Sequence, residues 1–137
     1  MTKRPGVLTL MAILLSAATV IAAVTGMSFV VPGTFLERIW TLNRAAHAAF
    51  AAHSRVSGAL LLLVGFAAGA AAIGLWRGQR WAWYLAIGIF AVNAVGDLVS
   101  LLITRDWLKG GAGILIDALF LFLLLRPNIR AFFSRPA

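Results

Sequence analysis

Three polar residues of this 137-residue chain stand where a carboxylate or amide is costly. Asn93 and Asp97 lie one helical turn apart in "AVNAVGDLVS", residues 91–100, and Asp117 is the lone acid of "GILIDALFLF", residues 113–122. A central aspartate costs roughly 2.5–3.5 kcal/mol on membrane-insertion scales, so such residues face a protein interior or a partner rather than lipid. Three uses stay open for Asp97 and Asp117. They can be structural acids, protonated or hydrogen-bonded to Asn93, Ser, Thr or tryptophan N–H groups. They can relay protons or cations. One can answer a cation on a partner subunit or ligand.

Spacing sharpens the picture. Asn93, Asp97, Ser100 and Thr104 follow one another at four, three and four residues, which is one stripe of a helix. Gly96 lies beside that stripe and is expected to let a neighbouring backbone approach. Gly110, Gly113 and Asp117 share a face in the same way. The two stripes are expected to turn inward, towards each other. Arg105 lies about 12 Å along the helix from Asp97 at 1.5 Å per residue, too far for a direct pair. Asp117 has no basic residue at its depth.

A second group of candidates is Glu37, Arg44 and His47. Glu37 and His47 are ten residues apart, about 15 Å on a helix, so an acid–base pair would need a fold-back. His47 and His53 are six apart, roughly 240° around a helix, so one face cannot present both to a metal or haem. No third ligand stands at ligand spacing. No Gly-x-Ser-x-Gly, His-Glu-x-x-His or phosphate-binding loop occurs. The chain has no cysteine, which excludes disulfides, thiolate metal sites and cysteine nucleophiles. The expectation is a non-enzymatic protein with no metal site, and the sequence names no cofactor.

The elements that position these residues are apolar. Hydrophobic residues make up 62% of the chain, against about 45–50% in soluble domains. A bilayer core about 30 Å thick needs about 20 apolar residues per helix. Four stretches are candidates, at about 7–31, 56–75, 81–104 and 111–125, the fourth being the shortest, and make one membrane domain. Lys3 and Arg4 precede the first, but its apolar run is too long for a signal peptide, so it is expected to be a retained helix. Backbone groups in hydrocarbon must be satisfied internally, so each span should be helical. The first carries Thr9, Ser16 and Thr19, and the second Gly58, Gly65 and Gly69, a pattern of tight helix packing. Trp76, Trp81, Trp83 and Tyr84 mark one membrane boundary and Trp107 the other.

The net charge is +8, but the basic residues flank apolar spans. They are therefore topology signals and lipid-headgroup contacts rather than a nucleic-acid surface. With both termini inside, Lys3, Arg4, Arg77, Arg80, Arg126, Arg130 and Arg135 are cytoplasmic. Arg38, Arg44, Arg55, Arg105 and Lys109 are outside. Seven against five is a modest bias for cytoplasmic termini.

The connection over residues 32–55 is much longer than the other two. Pro32 and Gly33 end the first span, and Thr34 with Glu37 fits a capping box. An interfacial helix is expected over about 35–52, with Phe35, Ile39, Leu42, Ala46, Ala49 and Phe50 as its apolar face. It either lies on the membrane surface or acts as a lid or docking surface.

"GLWRGQRWAWYLAIGIFAVNAVGDL", residues 74–98, and "LLLRPNIRAFF", residues 123–133, resemble a loose group of small, uncharacterised bacterial membrane proteins with four spans. The resemblance implies an inner-membrane location and supplies no catalytic residues. Small multidrug transporters are similar in size and span count, but their functional glutamate lies in the first span, which here has no acid. Small fluoride channels are similar in size, yet the Phe-rich polar motif of their third span is missing. The expected fold is all-α: an integral membrane bundle of four transmembrane helices, with an extra amphipathic outer helix between spans 1 and 2. The expected role is an accessory, scaffolding or partner-docking subunit in contact with membrane lipid and with other membrane subunits or itself. The alternative is a small oligomeric proton- or cation-linked transporter or channel using Asp97 and Asp117.

Overall fold

The computed structural model describes residues 3–135, apart from the side chains of Ala46 and Ala49, so that part of the expected outer face lies outside the described residues. The described residues are helical and contain no strand. Six α-helices follow one another: α1 (Gly6–Val30), α2 (Arg44–Ala51), α3 (Ser54–Trp76), α4 (Arg80–Thr104), α5 (Trp107–Leu124) and α6 (Pro127–Ser134). A 3-10 helix, Phe35–Leu42, precedes α2. Four of the helices, α1, α3, α4 and α5, are long and apolar enough to cross a membrane. The chain divides into two compact units, one holding Leu14–Ala70 and the other the residues up to Ile13 and from Ala71 onward.

In the Leu14–Ala70 unit, α1 and α3 touch through small residues. A Cβ placed on Gly58 would lie 2.8 Å from the carbonyl oxygen of Gly26, and one on Gly26 would lie 3.0 Å from that of Gly58. Gly65 faces Ala22, and Gly69 faces Thr19. The Gly65–Gly69 pattern is thus used within the chain, where missing side chains let two backbones approach. Thr19 Oγ1 turns back to donate to the Leu15 carbonyl at 2.8 Å, which satisfies the hydroxyl without a partner helix.

The connection after α1 differs from the expected single helix. It is a 3-10 segment and a short α-helix, separated at Asn43, whose φ of −149° is not helical. A 3-10 helix has three residues per turn, so side chains fall on different faces than an α-helix would give. Trp40 is buried, while Phe35 and Leu42 are 80% and 86% exposed. The capping box also differs. The Thr34 hydroxyl donates to the Val31 carbonyl at 3.2 Å, and Glu37 Oε1 accepts from the Gly33 N–H at 2.8 Å. The glutamate reaches back one residue further than expected because Gly33, at φ +84°, turns its N–H towards it.

In the other unit, α3 ends in a Schellman motif. The Gln79 N–H bonds the Gly74 carbonyl at 2.8 Å and the Gly78 N–H bonds that of Leu75 at 3.1 Å. Gly78 takes the left-handed conformation this cap requires, at φ +70°. The α4–α5 turn is tighter than the sequence suggests. Arg105 adopts φ 53°, and Asp106 Oδ1 accepts from the Lys109 N–H at 3.2 Å. That side-chain cap starts α5 at Trp107 instead of Gly111. After Leu125 the chain does not simply stop. Pro127 occupies the first turn of α6, where its missing N–H costs nothing, and Ile129 and Phe133 are buried.

Candidate functional site

The α4–α5 hairpin gathers the polar candidates of these two apolar helices on one seam. From the turn outward, Leu101 lies over Gly110, the Asp97 carboxylate over Gly113, Asn93 beside Asp117, and Phe90 against Phe120. These residues recur at four, four and three along α4 and at three, four and three along α5. That is the spacing of two helices packed along a common stripe. Gly110 and Gly113 make the approach possible. A Cβ on Gly110 would lie 2.8 Å from the Leu101 Cβ, and one on Gly113 would overlap the Asp97 carboxylate.

Asn93 Nδ2 donates to Asp117 Oδ2 at 3.0 Å. Asp117 is 3% exposed, whereas Asn93 is exposed and Asp97 half-buried. The polar cluster therefore lies at the edge of the seam, with one side open. The Asp97 carboxylate carries no hydrogen bond among the described residues, and neither aspartate has a basic partner there. Ser100 is exposed and off the seam, and its carbonyl accepts from Thr104 Oγ1 at 2.8 Å. Nothing lies within 4 Å of where a Gly96 Cβ would be. The close backbone approach expected at Gly96 occurs at Gly110 and Gly113 instead, because Gly96 sits on the outer side of α4.

Tryptophan N–H groups do not serve the aspartates. Trp83 Nε1 donates to the Leu124 carbonyl at 2.9 Å, Trp40 Nε1 to Ser28 Oγ at 2.8 Å, and Trp81 Nε1 to Gln79 Oε1 at 2.8 Å. Trp83 is buried, so its ring packs against neighbouring elements while Trp76, Trp81 and Tyr84 stay exposed. Its bond satisfies one of the carbonyls left free at the end of α5.

The outer candidates separate. His47 stacks on Phe29, ring centroids 5.6 Å apart and planes at 8°, and also meets Trp40 at 5.3 Å. Phe50 closes the cluster on Phe29 at 6.1 Å. Glu37 is engaged with the Gly33 N–H, and Arg44 is exposed at the start of α2. Glu37, Arg44 and His47 therefore do not form one site. Among the described residues no three His, Cys, Asp or Glu side chains gather as a metal site would need.

Sequence reasoning passed over α6 as a structural element. Arg80 Nε donates to the Phe133 carbonyl at 2.7 Å, and Trp83 stacks on Phe133 at 5.9 Å. Arg80 and Trp83 are one turn apart on α4, so one helix face holds the ends of both α5 and α6. A cation at a helix C-terminus also meets the negative end of the helix dipole. The signal was present as an apolar pair in "NIRAFF", four residues apart at Ile129 and Phe133, but eight residues give a weak period. No family model, curated protein or solved structure matches the chain.

Proposed function

We propose that the chain is a multi-pass protein of the bacterial inner membrane with both termini in the cytoplasm, and that it is a non-enzymatic accessory or partner-docking subunit. One observation carries the docking role. Asp97 is half-exposed on an apolar helix, without a hydrogen bond among the described residues, between exposed Asn93 and Ser100. A polar stripe at that depth is costly against lipid. A helix from another membrane subunit, or from a second copy, would cover it and supply donors. The 3-10 segment with exposed Phe35 and Leu42 would lie in the interface as the amphipathic outer element.

Native mass spectrometry of the protein extracted gently from its own membrane tests this role. A stoichiometric foreign subunit is expected. Because the chain has no cysteine, Ser100→Cys provides a single cross-linking position, and it should capture that subunit. A homo-oligomer with no foreign subunit would overturn the accessory role and leave a second copy as the docked partner.

A transport role is the second reading. It rests on Asp97 and Asp117 facing the same seam, where two carboxylates and Asn93 could pass a proton. It requires Asp97→Asn and Asp117→Asn to fold normally and to abolish a proton-linked flux. Wild-type flux in both variants would remove it.

A further inference from the structure

Several basic residues of the unit that holds α4, α5 and α6 are arranged around α6. We propose that the cleft between the start of α4 and α6 binds the phosphate of an anionic membrane lipid. The site rests on the membrane location proposed above and gives that surface a specific ligand.

The cleft has a volume of about 510 Å³ and is lined by Arg80, Trp83, Tyr84, Pro127, Arg130 and Phe133, among others. Among the described residues its two guanidinium groups have no acidic neighbour in the lining. Arg80 is fixed through Nε on the Phe133 carbonyl, while its Nη atoms carry no hydrogen bond among the described residues. An anchored guanidinium with its terminal nitrogens unused is organised to hold phosphate oxygens in a fork. Arg130 is exposed across the cleft and has no side-chain hydrogen bond among the described residues. The nearest acid along α4 is Asp97, seventeen residues away, or roughly 25 Å at helical rise.

Lipid is favoured over free phosphate by what surrounds the cations. The buried Trp83 and Phe133 and the exposed Tyr84 give the cleft an aromatic wall next to a long apolar helix. Aromatic side chains with a polar tip are suited to the headgroup level, where a glycerol backbone would sit. Two further clefts flank α6, one with Lys3 and Arg135 and one with Arg77, Arg80 and Arg135. The positive charge is therefore continuous around the helix, as a phosphate-rich surface would require.

The test compares purified full-length protein in detergent with phosphatidylglycerol, with phosphatidylcholine of the same acyl chains, and with glycerol 1-phosphate. Retained lipid is read by native mass spectrometry. Wild type should retain phosphatidylglycerol in preference to phosphatidylcholine. Arg130→Gln should cut that preference about fivefold, the factor for one cation near an anionic surface. Arg80→Lys, which keeps the charge but loses the fork, should weaken it as well. Arg105→Gln, at the far end of α4, should leave it unchanged. Equal retention of both lipids, or an unaltered preference in Arg130→Gln, would overturn the site. Full competition by glycerol 1-phosphate would also overturn it, in favour of a soluble phosphate ligand. Alkaline carbonate extraction of membranes separates the two levels: retention there with no lipid preference sinks the site alone, while release sinks the membrane reading and the site together.

Discussion

Asn93 Nδ2 donates to Asp117 Oδ2 at 3.0 Å, across a seam in which the acid is buried and the amide is not. The bond joins two helices that are adjacent in sequence, so its first consequence is for hairpin stability. Interhelical hydrogen bonds in membranes average about 0.6 kcal/mol and reach about 1.7. Asn93→Leu should therefore destabilise the protein by about 1 kcal/mol in denaturant unfolding in bicelles. Asp117→Asn keeps an acceptor for Asn93 and should stay close to wild type. A large loss in Asp117→Asn would mean that the acid, not the hydrogen bond, holds the seam.

Gly113 lies directly under the Asp97 carboxylate. Gly113→Ala puts a methyl group into that space and should destabilise by about 1–3 kcal/mol, as overpacking does. Asp97→Ala should rescue it, because the methyl then meets a methyl. A double-mutant cycle with unfolding as readout measures the coupling, and additive effects would show that the two residues do not touch.

The α1–α3 contact makes a parallel prediction with an internal control. Gly58→Ala would bring its Cβ 2.8 Å from the Gly26 carbonyl oxygen, which is backbone and cannot swing aside. It should destabilise by about 1–3 kcal/mol. Gly88→Ala has nothing within 4 Å and, in mid-helix, should be neutral or stabilising by up to about 1 kcal/mol. Equal effects at the two positions in the same unfolding assay would contradict the close approach.

Phe133 is 4% exposed and anchors α6 through its ring on Trp83. Truncating a buried phenylalanine costs about 3–5 kcal/mol, and α6 has only Ile129 beside it as a buried residue. Phe133→Ala should release α6 locally without unfolding the spans. Trypsin cleavage after Arg130 should accelerate strongly, with the far-ultraviolet circular dichroism nearly unchanged. Protection equal to wild type would show that α6 is held by other contacts.

Trp83→Phe isolates one hydrogen bond. The ring remains, but the Leu124 carbonyl loses its donor at a buried position. The expected cost is about 1–3 kcal/mol, for an unsatisfied carbonyl away from water. Amide exchange at the end of α5 should rise, and no change there would mean that the carbonyl finds another donor.

The sequence by itself determined the four long helices, because each is a long apolar run whose backbone groups bond best within the segment. It also determined that Asn93 and Asp97 share one face of α4, and Gly110, Gly113 and Asp117 one face of α5, since helical periodicity is local. Periodicity is silent on which face meets which. Only the tertiary structure paired Asn93 with Asp117, set Asp97 on Gly113, and left Ser100 and Gly96 outside the seam. The outer connection escaped sequence reasoning because an α-helical period was applied to a segment that winds as a 3-10 helix, which buries Trp40 and exposes Phe35 and Leu42. The α6 helix escaped it for a related reason. Eight residues carry too little period to be seen, and what holds them is a long-range bond from Arg80 and a ring contact from Trp83.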